Sequence, residues 1–256
     1  MDIKKDVKKQ FGKSANSYVS SAIHKDGEDL QKLIQMTTIN GHEELLDVAT
    51  GGGHTANAFA RLVKKVTALD LTPEMLNAAK NFIQGNGYQN VEFKIGDAEN
   101  LPFSDGLFDI VTCRIAPHHF PHVNKFVEEV HRVLKPSGQF LLDDNMVPEE
   151  DDYDLFYNSI EKCRDYSHFR AWKKSEWLRM LEFNGFEIYE LHRFEKTFKY
   201  ESWCNRMNLP ENEKENLSVY IKKASPKIKE KFKVSIVNDQ VISFQGEAVV
   251  LKAIKR

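Results

Sequence analysis

Asp47-Val48-Ala49-Thr50-Gly51-Gly52-Gly53 ends a strand-like apolar run, Glu43 to Ala49, in a turn of three consecutive glycines. After the glycines Ala56, Phe59, Ala60 and Val63 recur at helical spacing, so strand, glycine turn and helix follow in order. Working outward, Val66 to Asp70 reads as a second strand. Thr72 is placed to cap the next helix, with Pro73 at its first position. Met75, Leu76, Ala79, Phe82 and Ile83 make one apolar face until Gly85-Asn86-Gly87 stops it. Val91 to Ile95 is a third strand, and Phe108 to Cys113 a fourth after the Asp105-Gly106 turn. Val123, Phe126, Val127, Val130, Val133 and Leu134 trace a helix that Pro136-Ser137-Gly138 closes before a fifth strand, Gln139 to Asp143. Strands alternating with amphipathic stretches predict an α/β fold with a parallel sheet and crossover helices.

The second half is written differently. Glu149-Glu150-Asp151-Asp152 reads as a solvated helix start, because adjacent carboxylates cannot all converge on one ion. Ser175 is expected to cap a helix through Trp177, Leu178 and Leu181 that Asn184-Gly185 stops, and Phe186 to Leu191 begins another strand. Residues 200–231 carry aromatic and then lysine-rich helical patterns. The chain closes in a strand pair, Lys233 to Val237 and Val241 to Phe244, and a final strand from Glu247 to Ile254. The expected organisation is a helical cap over 1–42, a core over 43–199 and 232–256, and a helical insert over 200–231, all within one domain.

With 36 basic against 38 acidic side chains the net charge is -2, which leaves no single-sign field to grip nucleic acid or a membrane surface. No stretch approaches the ~18 apolar residues of a membrane span, and the charged N-terminus lacks the apolar segment of a signal peptide. Cys113, Cys163 and Cys204 are odd in number and far apart, as in a protein of the reducing cytoplasm. Gly12-Lys13-Ser14 imitates the end of a phosphate-binding loop, but Val7 stands at the position of its first glycine and no strand precedes it.

The glycine turn lies at the carboxyl end of the first strand, where missing side chains let a ligand approach the backbone and a helix N-terminus faces it. Asp70 ends the second strand, placed to accept from the vicinal hydroxyls of a ribose. Together they indicate a nucleoside-containing cofactor without deciding which. Gly51, Gly53 and Ala56 also satisfy the dinucleotide pattern, with Asp70 at about its required distance. A plain tight turn, with Asp70 capping the Thr72 helix, is the simpler alternative.

Gly96-Asp97-Ala98-Glu99-Asn100-Leu101-Pro102-Phe103 follows the third strand, and Phe108-Asp109-Ile110-Val111 opens the fourth. From residue 11 to about 145 this order closely resembles the class I S-adenosylmethionine-dependent methyltransferases, in particular the ubiquinone and menaquinone C-methyltransferase branch. The resemblance implies a three-layer α/β/α Rossmann-like sheet of seven strands with an antiparallel last strand and helical insertions capping the substrate. It also implies S-adenosylmethionine as cofactor and S-adenosylhomocysteine as product. Ala49, Thr50, Gly51 and Gly53 would then line the methionine part, Asp70 would hold the ribose, Leu71 and Met75 would pack on the adenine, and Asp97 with Ala98 would meet its amino group. Arg114 and Ile115 would border the methionine end. Ala49 departs from the common pattern, which has glycine there, so a shifted contact is expected. Upstream, Phe11, Ala15 and Tyr18 resemble the F-x-x-x-A-x-x-Y segment of methyltransferases of quinone and biotin synthesis, which makes Tyr18 a candidate to close over the cofactor.

His118, His119 and His122 lack a carboxylate or cysteine at ligand spacing, so no metal is expected. His118 or His119, just past the fourth strand, is instead a candidate to take a proton from the nucleophile, against the plainer reading of two loop histidines. Phe120, Tyr200 and Trp203 are expected to form the acceptor pocket. The expected activity is methyl transfer to a small molecule, quinone-like or another metabolite. The rivals are O-methylation of an acyl group on an acidic carrier protein, met by the lysines between Lys222 and Lys233, and a noncatalytic module that only binds S-adenosylmethionine.

Overall fold

A computed structural model of the chain describes residues 3–19 and 27–256, with side chains over 3–12 and 27–256. Among the described residues, α1 (Ile3–Val19) and α2 (Glu28–Met36) lead. Then β1 (Glu44–Val48), α3 (His54–Ala60), β2 (Lys65–Asp70), α4 (Pro73–Gly85), β3 (Val91–Ile95), β4 (Phe108–Arg114), α5 (Val123–Val133) and β5 (Leu134–Val147) follow the expected alternation. The second half contributes α6 (Asp151–Arg164), β6 (Trp172–Lys173), α7 (Lys174–Phe183), β7 (Phe186–Lys199), α8 (Tyr200–Asn205), α9 (Glu211–Lys223), α10 (Pro226–Lys231), β8 (Ser235–Val237) and β9 (Gln240–Lys255).

The sheet runs β3-β2-β1-β4-β5-β9-β7, with β6 on β5 and β8 on β9. The first five strands are mutually parallel, and β9 is antiparallel to both neighbours. The seven strands on the main path form the α/β methyltransferase sheet that the resemblance implied, and β6 and β8 extend it to nine among the described residues. Alternate residues of the central strands feed opposite faces. Leu46, Val48, Val111, Cys113, Phe140 and Leu142 pack with α5 and α7 through Phe126, Val127, Val130, Trp177 and Leu181. Leu45, Ile110 and Leu141 pack with α2, α3 and α4 through Leu33, Phe59 and Ile83. Strands covered on both faces are buried along nearly their whole length, as β1 and β2 are, and the polar residues Asp47 and Thr67 are buried with them. A second core joins α6 to the helices after β7, around Tyr157, Ile160, Tyr200, Trp203, Leu217, Ile221, Phe232 and Phe244.

Four expectations about elements change. Pro136-Ser137-Gly138 lies within β5, which starts at Leu134, and does not precede the strand. Ser175 does not cap α7: its N–H and hydroxyl both donate to Glu149, at 3.0 and 2.5 Å, while Glu176 reaches back to the N–H of Lys173 at 2.9 Å. Thr72 occupies the N-cap position of α4 but makes no side-chain capping bond. The break expected between Phe244 and Glu247 is absent, because Gly246 belongs to a continuous β9. A Cβ there would come within 2.9 Å of Phe198 and Tyr157, so that glycine serves close packing rather than a turn.

Candidate active site

Strand order reverses between β1 and β4, and the loops leaving their carboxyl ends diverge there into a cavity with about 1030 Å³ of empty space, including its open mouth. Its floor is Asp47 to Gly52 and its far wall Asp70 to Thr72 with Met75. Gly96 to Ala98 and Arg114 to Ala116 with His119 to Pro121 close two further sides. Over it lies α1, which presents Lys4, Val7 and Phe11, and Phe11 packs against Met75 and Ala78 of α4.

Asp47 anchors the floor, accepting from the hydroxyls of Thr50 at 2.6 Å and Thr112 at 2.7 Å. Its complete burial pushes its carboxyl up to about 6 despite those bonds. The chain then turns through left-handed conformations at Ala49 (φ 54°), Gly51 (φ 53°) and Gly53 (φ 82°). The two glycines are needed for different reasons. A Cβ on Gly51 would meet nothing within 4 Å, which leaves the backbone open on that side. A Cβ on Gly53 would come within 2.9 Å of Ala79 and Ile83, so Gly53 lets the turn sit against α4 and does not line the cavity; Gly52 does. Ala49 holds a conformation that glycine adopts without penalty and that costs an L-residue roughly 1–2 kcal/mol, which explains why its position favours glycine.

Asp70 accepts from the N–H groups of Gly51 at 2.8 Å and Thr72 at 2.9 Å. Burial outweighs these bonds and raises its pKa. Asp97 accepts from Lys4 at 2.6 Å and from the N–H of Glu99 at 2.9 Å, and Lys4 also reaches Glu99 at 2.5 Å. Thus α1 is pinned by an ion pair to the loop after β3. Arg114 faces Asp29 of α2 at 2.9 Å and Asp143 of β5 at 3.2 Å. Burial, with the Asp29 charge adding to it, lifts Asp143 to about 7 against the pull of Lys196 and Arg114. Asp29 itself is held low: burial opposes its charge, but Arg114 and Lys196 prevail.

The turn after β4 divides the two candidate histidines. His119 lines the cavity, with its Nδ1 3.0 Å from the carbonyl of Ser167 and its ring edge-on to Phe11 at 5.1 Å. His118 does not line it, and its Nδ1–H donates to buried Asp144 at 2.5 Å. His122 stands at the N-cap position of α5, its N–H donating to Glu99 at 2.6 Å.

The methyltransferase-domain family matches residues 46–142. Bacillus subtilis YcgJ, described as an uncharacterized methyltransferase, is 38% identical over 96% of this chain and 98% of its own. The chain belongs to the methyltransferase family. The crystal structure of YcgJ superposes with a TM-score of 0.88 over 90% of this methyltransferase and 99% of that chain. A crystallised Bacillus halodurans C-125 protein described as a methyltransferase matches equally, at 57% identity, a TM-score of 0.88, and 90% and 99% coverage. The ubiquinone/menaquinone biosynthesis C-methyltransferase UbiE of Rickettsia felis is 37% identical over 49% of this chain and 52% of its own.

The wall of this methyltransferase suits the nucleoside its family uses. Asp70 is a buried acceptor-only carboxylate on the cavity wall, which the N–H groups of Gly51 and Thr72 and the Thr72 side chain hold in place. The open side of Gly51 adjoins it, and Leu71 and Met75 add apolar side chains to the lining that Asp97 and Ala98 share. Ala49, Thr50, Gly51, Asp70, Leu71, Met75, Asp97, Ala98, Arg114, Ile115, His119 and Phe120 all line this cavity, while Gly53 and His118 do not. Tyr18 lies outside the residues whose side chains are described. Tyr200 and Trp203 are corrected: both are buried in the second core, with the Tyr200 hydroxyl donating to the Lys214 carbonyl, and neither lines the cavity. Lys4 and Val7 were missed, although Lys4, Val7 and Phe11 share one helical face at i, i+3 and i+7.

Proposed function

We propose that this enzyme transfers a methyl group from S-adenosylmethionine to a small, uncharged acceptor and releases S-adenosylhomocysteine. One observation carries the reading: Asp70, Asp97, the open side of Gly51 and the imidazole of His119 all face one cavity. In this reading Asp70 accepts from the ribose hydroxyls, Leu71 and Met75 pack on the adenine, and Asp97 with Ala98 meets its amino edge. Ala49, Thr50 and Gly51 offer backbone to the methionine part, which Arg114 and Ile115 border, and Tyr18 stays a candidate cover from α1. When bound, S-adenosylmethionine supplies a methyl group already activated on a sulfonium centre. The protein's share is to align the acceptor and keep water away, tasks suited to Phe11, Phe120 and Pro121. His119 takes up the proton that the acceptor gives up.

The charges around the cavity favour a neutral acceptor, of which a quinone-like ring is one example. Lys4 is matched by Asp97 and Glu99, and Arg114 by Asp29 and Asp143. Four lysines of the run that would greet an acidic carrier are likewise engaged. Lys222 pairs with Asp239, Lys231 with Glu247 and Lys233 with Glu195, while Lys227 lies over the Tyr153 ring. Incubation with methyl-labelled S-adenosylmethionine and a panel of neutral phenols and enols, carboxylates, phosphates and acyl carrier proteins tests the reading. Label in a neutral small molecule is expected. Label confined to anionic or carrier-bound acceptors, or none across the panel from a protein that binds S-adenosylhomocysteine, would overturn it.

A further inference from the structure

His119 sits in a frame built from three other elements. A carbonyl oxygen can only accept, so the 3.0 Å contact between His119 Nδ1 and the Ser167 carbonyl puts the ring proton on Nδ1 and leaves Nε2 as a lone pair. The loop that supplies this carbonyl is itself held: the N–H and hydroxyl of Ser167 both donate to Asp165, at 2.8 and 2.5 Å, and Phe169 and Arg170 donate their N–H groups to the His118 carbonyl at 2.8 and 2.9 Å. The His118 ring lies 4.2 Å from that of His119, its Nδ1–H on Asp144, which has no exposure to solvent.

We propose that His118 and Asp144 are positioning residues for methyl transfer: a buried ion pair that never touches the acceptor, it repels a proton from His119 and keeps the Nε2 lone pair free on the cavity side. The proposal rests on the methyltransferase reading above and adds how its proton acceptor is prepared. The proton released by the acceptor moves to Nε2 while Nδ1–H stays on the Ser167 carbonyl, so the ring passes from neutral to cationic and returns when Nε2 gives that proton to solvent.

The surrounding charges agree with this division. Burial opposes a charge on His118, but Asp144, by its charge and its hydrogen bond, with Glu161 of α6 and Asp165 behind it, raises the His118 pKa above the ordinary histidine value. For His119, burial and then the neighbouring His118 charge push the imidazole down to about 4, against weaker pulls from Asp165 and Asp144. His168, 5.6 Å from His118, donates from Nε2 to Asn158 at 2.8 Å and is held neutral by burial, with His118, His119, Arg164 and Lys162 adding to the effect. On the α1 side, His119 meets the uncharged Phe11 ring.

Nuclear magnetic resonance of the whole chain carrying nitrogen-15-labelled histidine tests the proposal without an acceptor. In the wild-type protein at about pH 6, His119 should be the neutral Nδ1–H tautomer while His118 is a cation. Asp144→Asn removes the anion that keeps His118 charged, and His118→Gln removes the cation itself. Either substitution should raise the His119 midpoint by about one pH unit. An unmoved midpoint in a variant that still binds S-adenosylhomocysteine would overturn the proposal. So would a wild-type His119 that titrates at the ordinary histidine value, and the wild-type spectrum decides even if neither variant folds. A protein that binds no S-adenosylhomocysteine but shows the expected midpoints would defeat the methyltransferase reading and leave the pairing intact.

Discussion

Asp29→Asn removes the carboxylate that lies 2.9 Å from Nη2 of Arg114 and 3.5 Å from Lys196 without changing the shape of the side chain. Taking one partner from a buried ion pair ordinarily costs about 3–5 kcal/mol. Here a second carboxylate stands in reserve. Asp143 is 3.2 Å from Nε of Arg114, and its carboxyl, held up to about 7, is only half ionised near neutral pH. The Asp29 charge is one cause of that elevation, so the amide lets Asp143 ionise and take over the guanidinium. Each single substitution to asparagine should therefore cost roughly 1 kcal/mol near pH 7, and Asp29→Asn/Asp143→Asn, which deprives Arg114 of both carboxylates, about 3 kcal/mol or more. Urea unfolding of the four proteins reads the coupling directly.

The same cluster fixes a pH dependence. The folded pKa of Asp143 lies above its unfolded value near 3.8, so its contribution to stability is complete below about pH 4 and is lost as pH rises through about 7. Asp29 is depressed, so its contribution is present above about pH 4 and lost only as pH falls further. Asp143→Asn should flatten the decline between about pH 4 and 7 and leave the acid limb in place. Costs that add to within about 0.5 kcal/mol, or an unchanged slope in Asp143→Asn, would refute the reserve-carboxylate reasoning.

Asp70→Asn replaces an acceptor-only carboxylate by a group whose NH₂ must face backbone donors, and should weaken S-adenosylhomocysteine binding about 10- to 100-fold in calorimetry, the equivalent of roughly 1.5–3 kcal/mol. Unchanged affinity would mean that the ribose lies elsewhere. Gly53→Ala meets both a φ of 82° and contacts of 2.9 Å to Ala79 and Ile83, so it should destabilise the fold by about 2 kcal/mol or more in thermal unfolding, and a variant as stable as wild type would contradict the packing assigned to that glycine.

The parallel half of the sheet was legible because short, mostly apolar strands alternate with helices that carry plain punctuation, Pro73 at one start and Gly85-Asn86-Gly87 at one stop. The cavity wall was legible because it hangs on strand ends: Asp70 and Arg114 end β2 and β4, and Asp97 follows β3 by two residues. Packing between distant segments left no such trace. A break was expected between Phe244 and Glu247, where Gly246 instead makes a close approach to Phe198 and Tyr157 within one strand. Tyr200 and Trp203 looked like acceptor-pocket aromatics, yet α6 offers them a core of their own. Adjacent positions say nothing about which of His118 and His119 faces the cavity, since that depends on Asp144 and Ser167, 26 and 48 residues away.

Parallel calorimetric titration of the purified protein with S-adenosylmethionine, S-adenosylhomocysteine and NADH asks most directly what the cavity between β1 and β4 binds. Micromolar binding of both sulfur nucleosides with no heat from NADH is the result expected from Asp70, Asp97 and the open side of Gly51. Binding of NADH alone would return the glycine turn to the dinucleotide pattern and remove the roles given to Asp97, Arg114 and His119.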